Sequence, residues 1–569
     1  MNNEFIKLYQ KEKDLIIYWS KKNSPNKETK YFLNYIRRNR RKIINSFNDA
    51  IFEISEKKIK NKSLRLNTKI MQEYYLWDYL TLNEKCIYSN PEYLNLLKII
   101  GLISYLKNKK IIKAEINISD KNTGLTLQRY FVQKKIVTIL KQEDKKFHYR
   151  SILPEIIKTF FLVHVYVLKN FKFFLEKKNI INSKNIFFSY FTIPQKIDEN
   201  INNFWGKLTK IFSKFDYKFN FIHLQNVNLN NTKLSSDRYL FLKNYLSFID
   251  IFKAIIIYLI FYFKNYFLLS KKVYFSNKLN LDLQFFFKRG LKKSFYGFKC
   301  LETIINILNI KNFINCSNIN NIIYVAENQS WEKILNFEAK KRGIKTFGVI
   351  HSLINKWDMR FTNFNNKKNY VDTFPSYFLV NGKYNKNKLA ENKIVKKVIE
   401  VEALRYSFIK SNKKEKILHK LFIFGSFEEL TTKKMLDEID KSKKIKNKYK
   451  IYFKNHPSLK SNLKYKYKFL KPEKNIRGCI AIVPNNSSVI IDLTIKKIPA
   501  LTFDDQYDLN ANYYEILSNN NSFSNYKDLE NLLSKKSNKY SAASGFRNNS
   551  ELNLNSKLNL WKKFKIKYL

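Results

Sequence analysis

From residue 320 onward, short uninterrupted apolar runs alternate with helix-patterned stretches, and this rhythm narrows the fold more than any other feature of the chain. Runs at 321–326 (NIIYVA), 346–350, 377–380, 421–424, 449–454, 479–483 and 500–503 show little polar alternation. A strand buried on one face alternates apolar with polar residues. A strand buried on both faces does not, and that condition needs helices packed above and below a parallel sheet. Helices are predicted at 330–342, 427–441 and 489–496, the first stopped by Gly343. The predicted fold class is α/β, doubly wound, with two Rossmann-like halves facing a cleft.

Five segments follow from the pattern. Residues 1–150 read as charged amphipathic helices, such as 31–54, forming a mostly helical basic N-terminal region. Residues 151–383 make the first half, opening with short aromatic strands at 185–191 and 219–224 and carrying a hydrophobic insertion near 248–290; a helical pattern resumes at 291–308. Residues 384–416 are linker and packing helices, 417–515 the second half, and 516–569 C-terminal helices. No internal repeat is present.

The 569 residues hold 106 Lys+Arg against 47 Asp+Glu, a formal charge of +59. The abundance of Lys, Asn, Ile, Phe and Tyr follows AT-rich codons, so much of that charge reads as genomic drift, although its field still attracts anionic surfaces. The lysines are spread along the chain rather than gathered on a nucleic-acid motif, and no nucleic-acid partner is expected. Arg37-Arg38-Asn39-Arg40-Arg41-Lys42 stands out; it reads as a solvated helix face or as a contact for lipid phosphates. Cys86, Cys300, Cys316 and Cys479 are too scattered for a disulfide framework, and the first residues hold no apolar run for a signal peptide. A cytoplasmic protein is expected. The apolar run 254–263 (AIIIYLIFYF), held between Lys253 and Lys264, rises only about 15 Å as a helix, too little to cross a bilayer. It reads first as a core helix and second as a segment inserted shallowly into one leaflet, and 159–168 (TFFLVHVYVL) has the same two readings.

In open α/β sheets ligands bind beyond the carboxyl ends of the strands. Glu327-Asn328-Gln329-Ser330-Trp331-Glu332, His351-Ser352, Asn455-His456-Pro457 and Asn485-Asn486-Ser487-Ser488 all sit there. Ser487 and Ser488 precede a helix, where they serve as caps or bind an anion. His456, with Pro457 fixing the turn, is either a turn residue or a donor to the phosphate of a leaving nucleotide. Glu327 or His351 is the candidate general base for an acceptor hydroxyl. Trp331 reads as core.

These blocks, together with Trp357-Asp358-x-Arg360, Asn381-Gly382, Val401-Glu402-Ala403-Leu404-Arg405-Tyr406 and Leu509-Asn510, resemble a bacterial family of surface-carbohydrate biosynthesis proteins. That family is similar, through its His-Pro and Ser-Ser pairs, to GT-B sialyltransferases, polysialyltransferases and capsule Kdo transferases. The resemblance spans about residues 320–515. It implies a GT-B-like fold and a metal-independent glycosyltransferase without a cofactor, which takes a sialic acid-like or Kdo-like sugar from a CMP-linked nucleotide-sugar donor. Catalytic residues would be Glu327, His351 and His456; the donor would be held by His456, Pro457, Asn486, Ser487, Ser488 and Arg405. The chain has no D-x-D triplet of the kind that holds a divalent cation. Where the sialyltransferases carry an acidic pair followed by Gly, this chain has Glu327-Asn328-Gln329. The acceptor implied is a glycan or lipid-linked glycan of the bacterial surface, reached from a peripheral position on the inner membrane. The rival readings are a CDP-polyol phosphotransferase of the same fold and a non-catalytic basic membrane- or nucleic-acid-binding protein.

Overall fold

The computed structural model describes the chain apart from residues 1–3, 11–13, 21–24, 60, 142–152, 176–182, 190–204, 206–207, 209–210, 213–216, 222–238, 270, 363–372, 395, 408, 410–418, 457–466, 472–475, 477, 508, 510–520 and 535–550. Pro457 and Asn510 therefore lie outside the described residues.

The N-terminal region contains a sheet as well as helices. Strands β1 (Glu4–Tyr9), β2 (Leu15–Ser20), β3 (Lys113–Asn117) and β4 (Val137–Leu140) lie in the order β2-β1-β3-β4. The region is mostly helical as expected, and this sheet is the part the sequence reading missed. The cause is legible in the strands themselves, since Ile6 and Leu8, then Leu15, Ile17 and Trp19, recur with period two and are buried. Helices α1 (Lys27–Arg38), α2 (Arg40–Glu56), α3 (Glu92–Leu106) and α4 (Lys121–Gln133) accompany the sheet. The single helix predicted at 31–54 breaks at Asn39, whose side chain donates to the Tyr35 carbonyl. Within the arginine run Arg40 is docked, reaching Glu391 at 3.3 Å, while Arg41 touches the same carboxylate at 3.4 Å and stays exposed.

Helix α5 (Leu153–Leu175) leads into a parallel seven-stranded sheet. Its members are β5 (Asn185–Ser189), β6 (Tyr217–Phe221), β7 (Tyr239–Phe241), β8 (Asn321–Val325), β9 (Lys345–Ile350), β10 (Tyr377–Val380) and β11 (Lys397–Glu400), in the order β7-β6-β5-β8-β9-β10-β11. Between β7 and β8 come α6 (Phe248–Asn265), α7 (Gln284–Tyr296) and α8 (Phe298–Asn315); α9 (Ser330–Lys341) and α10 (Lys383–Glu391) follow β8 and β10. Successive residues of one strand enter opposite cores. Ile322 and Tyr324 pack with Ile310, Ile334 and Leu335, while Ile323 and Val325 pack with Trp205, Trp561 and Phe564. Both faces are covered, which is why the strands read as continuous apolar runs.

The second sheet is also parallel, with β12 (Lys420–Phe424), β13 (Lys450–Lys454), β14 (Leu470–Lys471), β15 (Ile480–Pro484), β16 (Ala500–Phe503) and β17 (Ser522–Phe523) in the order β14-β13-β12-β15-β16-β17. Helices α11 (Glu429–Lys441), α12 (Val489–Ile495) and α13 (Tyr526–Ser534) accompany it. The two sheets form the α/β, GT-B-like pair of Rossmann-like halves. Three segment boundaries differ from expectation. The stretch 384–416 contributes β11 to the first sheet, β17 and α13 carry the second half past residue 515, and α14 (Asn559–Tyr568) crosses back to the first half through Trp561 and Phe564. Backbone bonds Asn553 N to Asn381 O, 2.9 Å, and Ala403 N to Asn553 O, 2.8 Å, tie that return across the junction. Gly382, at φ +146°, is required there because a Cβ would meet the Glu551 carbonyl oxygen at 2.4 Å. One apolar cluster joins the halves, with Leu353, Ala403 and Tyr406 against Val483, Ile490 and Ile491.

Candidate functional site

Two groups of polar side chains meet at the junction. In the first half, β8 ends at Val325, Ala326 N still bonds to the Val349 carbonyl, and the chain then turns at Asn328, which adopts φ 58°. Asn tolerates that left-handed conformation better than most residues. The turn is held by Glu332, which is buried and accepts from Glu327 N at 3.0 Å and Asn328 N at 2.9 Å. Burial pushes its carboxyl well above the ordinary glutamate value, against the backbone donors that favour the charge. Trp331 is core, stacked on Phe188 with centroids 5.4 Å apart.

Glu327 is thereby presented beside the end of β9. Its Oε1 lies 3.8 Å from His351 Nε2, and its Oε2 accepts from Arg360 at 2.6 Å. Arg360 also forks onto Asp358, with Nε to Oδ1 at 3.0 Å and Nη2 to Oδ2 at 2.7 Å. Burial works against the guanidinium charge, but Asp358 and Glu327 overrule it and hold Arg360 protonated well above the ordinary arginine range. Burial lowers the His351 pKa; the opposing pull of Glu327 is met by the positive charges of Arg405 and Arg360. His351 is thus neutral near pH 7 and able to accept a proton.

In the second half the site lies along the carboxyl edge of three adjacent strands, β13, β12 and β15. His456 follows β13, Gly425-Ser426-Phe427 follows β12, and Asn485-Asn486-Ser487-Ser488 follows β15. The loops are packed so closely that a Cβ on Gly425 would lie 3.1 Å from His456 N and 3.0 Å from Asn455 Oδ1. Ser426 is buried and its hydroxyl donates to Asn486 Oδ1 at 3.2 Å, tethering the central loop to its neighbour. Asn485 donates to Asp504 Oδ1 at 2.8 Å. His456 is partly exposed, and burial lowers its pKa. Ser487 and Ser488 are also partly exposed; Ser487 Oγ accepts from Val489 N at 3.4 Å, and Ser488 occupies the cap position without a side-chain cap bond. Helix α12 has only seven residues, so donors here are side chains and loop amides more than an extended helix dipole.

The two groups are linked across the junction. Arg360 sits 5.3 Å from the ring centroid of Tyr88, whose hydroxyl accepts from Asn355 Nδ2 at 2.8 Å. The Tyr88 ring packs edge-on against Phe427 at 5.3 Å, and Phe427 against His456 at 6.5 Å. Arg405 bridges on another side: its charge reaches His351 while its Nη2 lies 3.5 Å from Asp492 on α12. The structure therefore brings Glu327, His351, Arg405, His456, Asn486, Ser487 and Ser488 to one junction. Sequence reasoning missed Tyr88, Ser426 and Phe427. Ser426 and Phe427 could have been found as another polar turn at the end of an apolar run, but nothing local marks Tyr88. Among the described residues no group of three or more His, Cys, Asp or Glu side chains is placed to hold a metal ion.

The pKa directions set a pH dependence. Above about 6.5 both folded and unfolded chains carry neutral imidazoles, and stability is unaffected. Below it the unfolded chain takes up protons that the partly covered rings of His351 and His456 resist, so stability falls with pH until the lowered folded values are reached. Thermal unfolding between about pH 7 and pH 5 should show the midpoint falling more steeply for the native chain than for the His351→Gln, His456→Gln double variant. Parallel curves would remove the burial argument.

No protein-family profile matches the chain, and no curated protein matches it. Among solved structures it is similar to the UDP-GlcNAc 2-epimerase of Methanocaldococcus jannaschii (13% identity, TM-score 0.36, 67% of this chain and 99% of that one). It is also similar to TarM (11%, 0.35, 69% and 97%) and to the wall teichoic acid polymerase TagF (12%, 0.33, 74% and 100%). At such scores these likenesses decide nothing about chemistry, and the strand order and register above are what define the fold.

Proposed function

We propose that this chain is a glycosyltransferase that moves a sugar from a nucleotide donor to a bacterial surface glycan at the inner membrane. The observation that supports the reading is that the polar loops after β13, β12 and β15 are linked to the Glu327–His351–Arg360 group of the opposite half through Tyr88 and Phe427 and through Arg405. In this reading His351 takes the proton of the acceptor hydroxyl, and Glu327 faces the imidazolium that forms. The acceptor oxygen bonds to the anomeric carbon as the bond to the phosphate oxygen breaks, and the electron pair leaves on the nucleotide. His456, neutral because of its lowered pKa, donates an N–H to that phosphate; Ser487, Ser488, Asn486 and Arg405 supply further donors, with Pro457 shaping the turn. Asp492 competes for Arg405 at 3.5 Å, so an incoming phosphate would exchange with it. No metal step is invoked. The resemblance in the sequence supports a CMP-linked donor carrying a sialic acid-like or Kdo-like sugar.

Thermal shift against CMP, CDP, UDP and GDP tests the donor site. Binding to the folded chain at a hundredfold excess over Kd stabilises it by about 2.7 kcal/mol. A shift with CMP that disappears in a Ser487→Ala, Ser488→Ala variant is the expected result. A shift with UDP or GDP alone removes the CMP assignment, no shift with any of them overturns the transferase, and a phosphopolyol in the product mass would favour the CDP-polyol reading.

A further inference from the structure

We propose that the outward faces of α5 and α6 dock this protein onto an anionic lipid bilayer, with α6 lying along the interface rather than through it. The inference rests on the membrane partner proposed above and names the surface that meets it. Helix α6 carries two apolar stripes. The inward one, Ile251, Ala254, Tyr258, Phe261 and Asn265, is buried and pinned, since the Tyr258 hydroxyl donates to the Tyr296 carbonyl and the Tyr296 hydroxyl to the Asn265 carbonyl, both at 2.7 Å. The outward one runs Ile249, Phe252, Ile256, Ile260, Phe263 and Phe267 at intervals of three and four, with Phe252 64% and Phe263 71% exposed. Helix α5 continues the face through exposed Ile157, Phe161 and Leu168, and its Phe171 and Phe174 rings lie 5.6 and 5.0 Å from Phe248. An unbroken apolar stripe of this length is not what water-facing helices carry.

The charges select the occupant. Exposed Lys253 and Lys264 border the stripe on α6, and exposed Lys158 and Lys169 lie on α5. The acids of these helices are turned to other work: Asp250 closes the capping box with Ser247 and accepts from Asn312 at 3.0 Å, and Glu155 is placed against Gly297. A second copy laid on this face would set lysine against lysine. Anionic headgroups would neutralise the same lysines while the phenylalanines enter the acyl boundary. Among the described residues no helix is long and apolar enough to cross a membrane, so the bilayer surface is the part that fits.

Co-sedimentation of the full chain with vesicles of phosphatidylglycerol mixed into phosphatidylcholine, against phosphatidylcholine alone, tests this. The native chain should pellet with the mixed vesicles; Phe252→Ser with Phe263→Ser should weaken partitioning at least about tenfold, and Lys253→Gln with Lys264→Gln should reduce the preference for phosphatidylglycerol. All four positions are exposed, so the unfolding midpoint and the nucleotide-induced shift should stay as in the native chain; loss of that shift would concern the cleft and not this face. Three results would overturn the proposal: no pelleting of the native chain, native pelleting of the phenylalanine pair, or a lipid-free dimer that the phenylalanine pair disperses.

Discussion

Replacing His456 with alanine is expected to lower kcat by about a hundredfold to a thousandfold, the cost of removing one donor aimed at developing transition-state charge. The fold should be nearly unaffected, because His456 is partly exposed and its ring meets Phe427 only edge-on at 6.5 Å. KM for the donor should move less than kcat, since the hydrogen bond is worth most when the bridging oxygen carries charge. The loss should also be largest for poor leaving groups. Steady-state kinetics alongside thermal unfolding would check this; turnover within a factor of about three of the native rate would sink the catalytic role of His456.

Arg360→Met is expected to destabilise the chain by about 3–5 kcal/mol, the range for removing one partner of a buried ion pair. Arg360 is 3% exposed and satisfies two carboxylates at once, and without it the fully buried Asp358 loses its bidentate partner. His351 loses one of the positive charges that lower its pKa, so its proton affinity should rise and activity should shift to higher pH. Arg360→Lys keeps the charge without the fork and should fall between the two. Urea unfolding read with the pH profile distinguishes a positioning role from a merely structural one. An unchanged midpoint, or lost stability with an unmoved profile in what remains active, would contradict the positioning role of Arg360.

The parallel sheets were legible because burial on two faces leaves its mark on every residue of a strand: Ile322, Ile323, Tyr324 and Val325 are all apolar since each enters one of two cores. Their polar ends were legible too, because turn chemistry is local. The N-terminal strands Glu4–Tyr9 and Leu15–Ser20 carry a period-two signal that charged neighbours obscured, and β11 and β17, four residues and two, are too short to announce themselves. The α7–α8 boundary was likewise hidden within one helical pattern until Gly297 divided it.

Sequence alone determined which residues end the strands of each half and that the strands lie parallel, since both follow from side-chain burial within one segment. Tertiary structure decided that Tyr88, a residue of the N-terminal region, stands between Arg360 and Phe427, that α14 returns to the first sheet, and which side of α6 is left uncovered. A helix with apolar stripes on two faces presents the same pattern to either environment. Only the position of its neighbours, here Tyr296 and Phe295 on α7, settles which stripe becomes core and which faces outward.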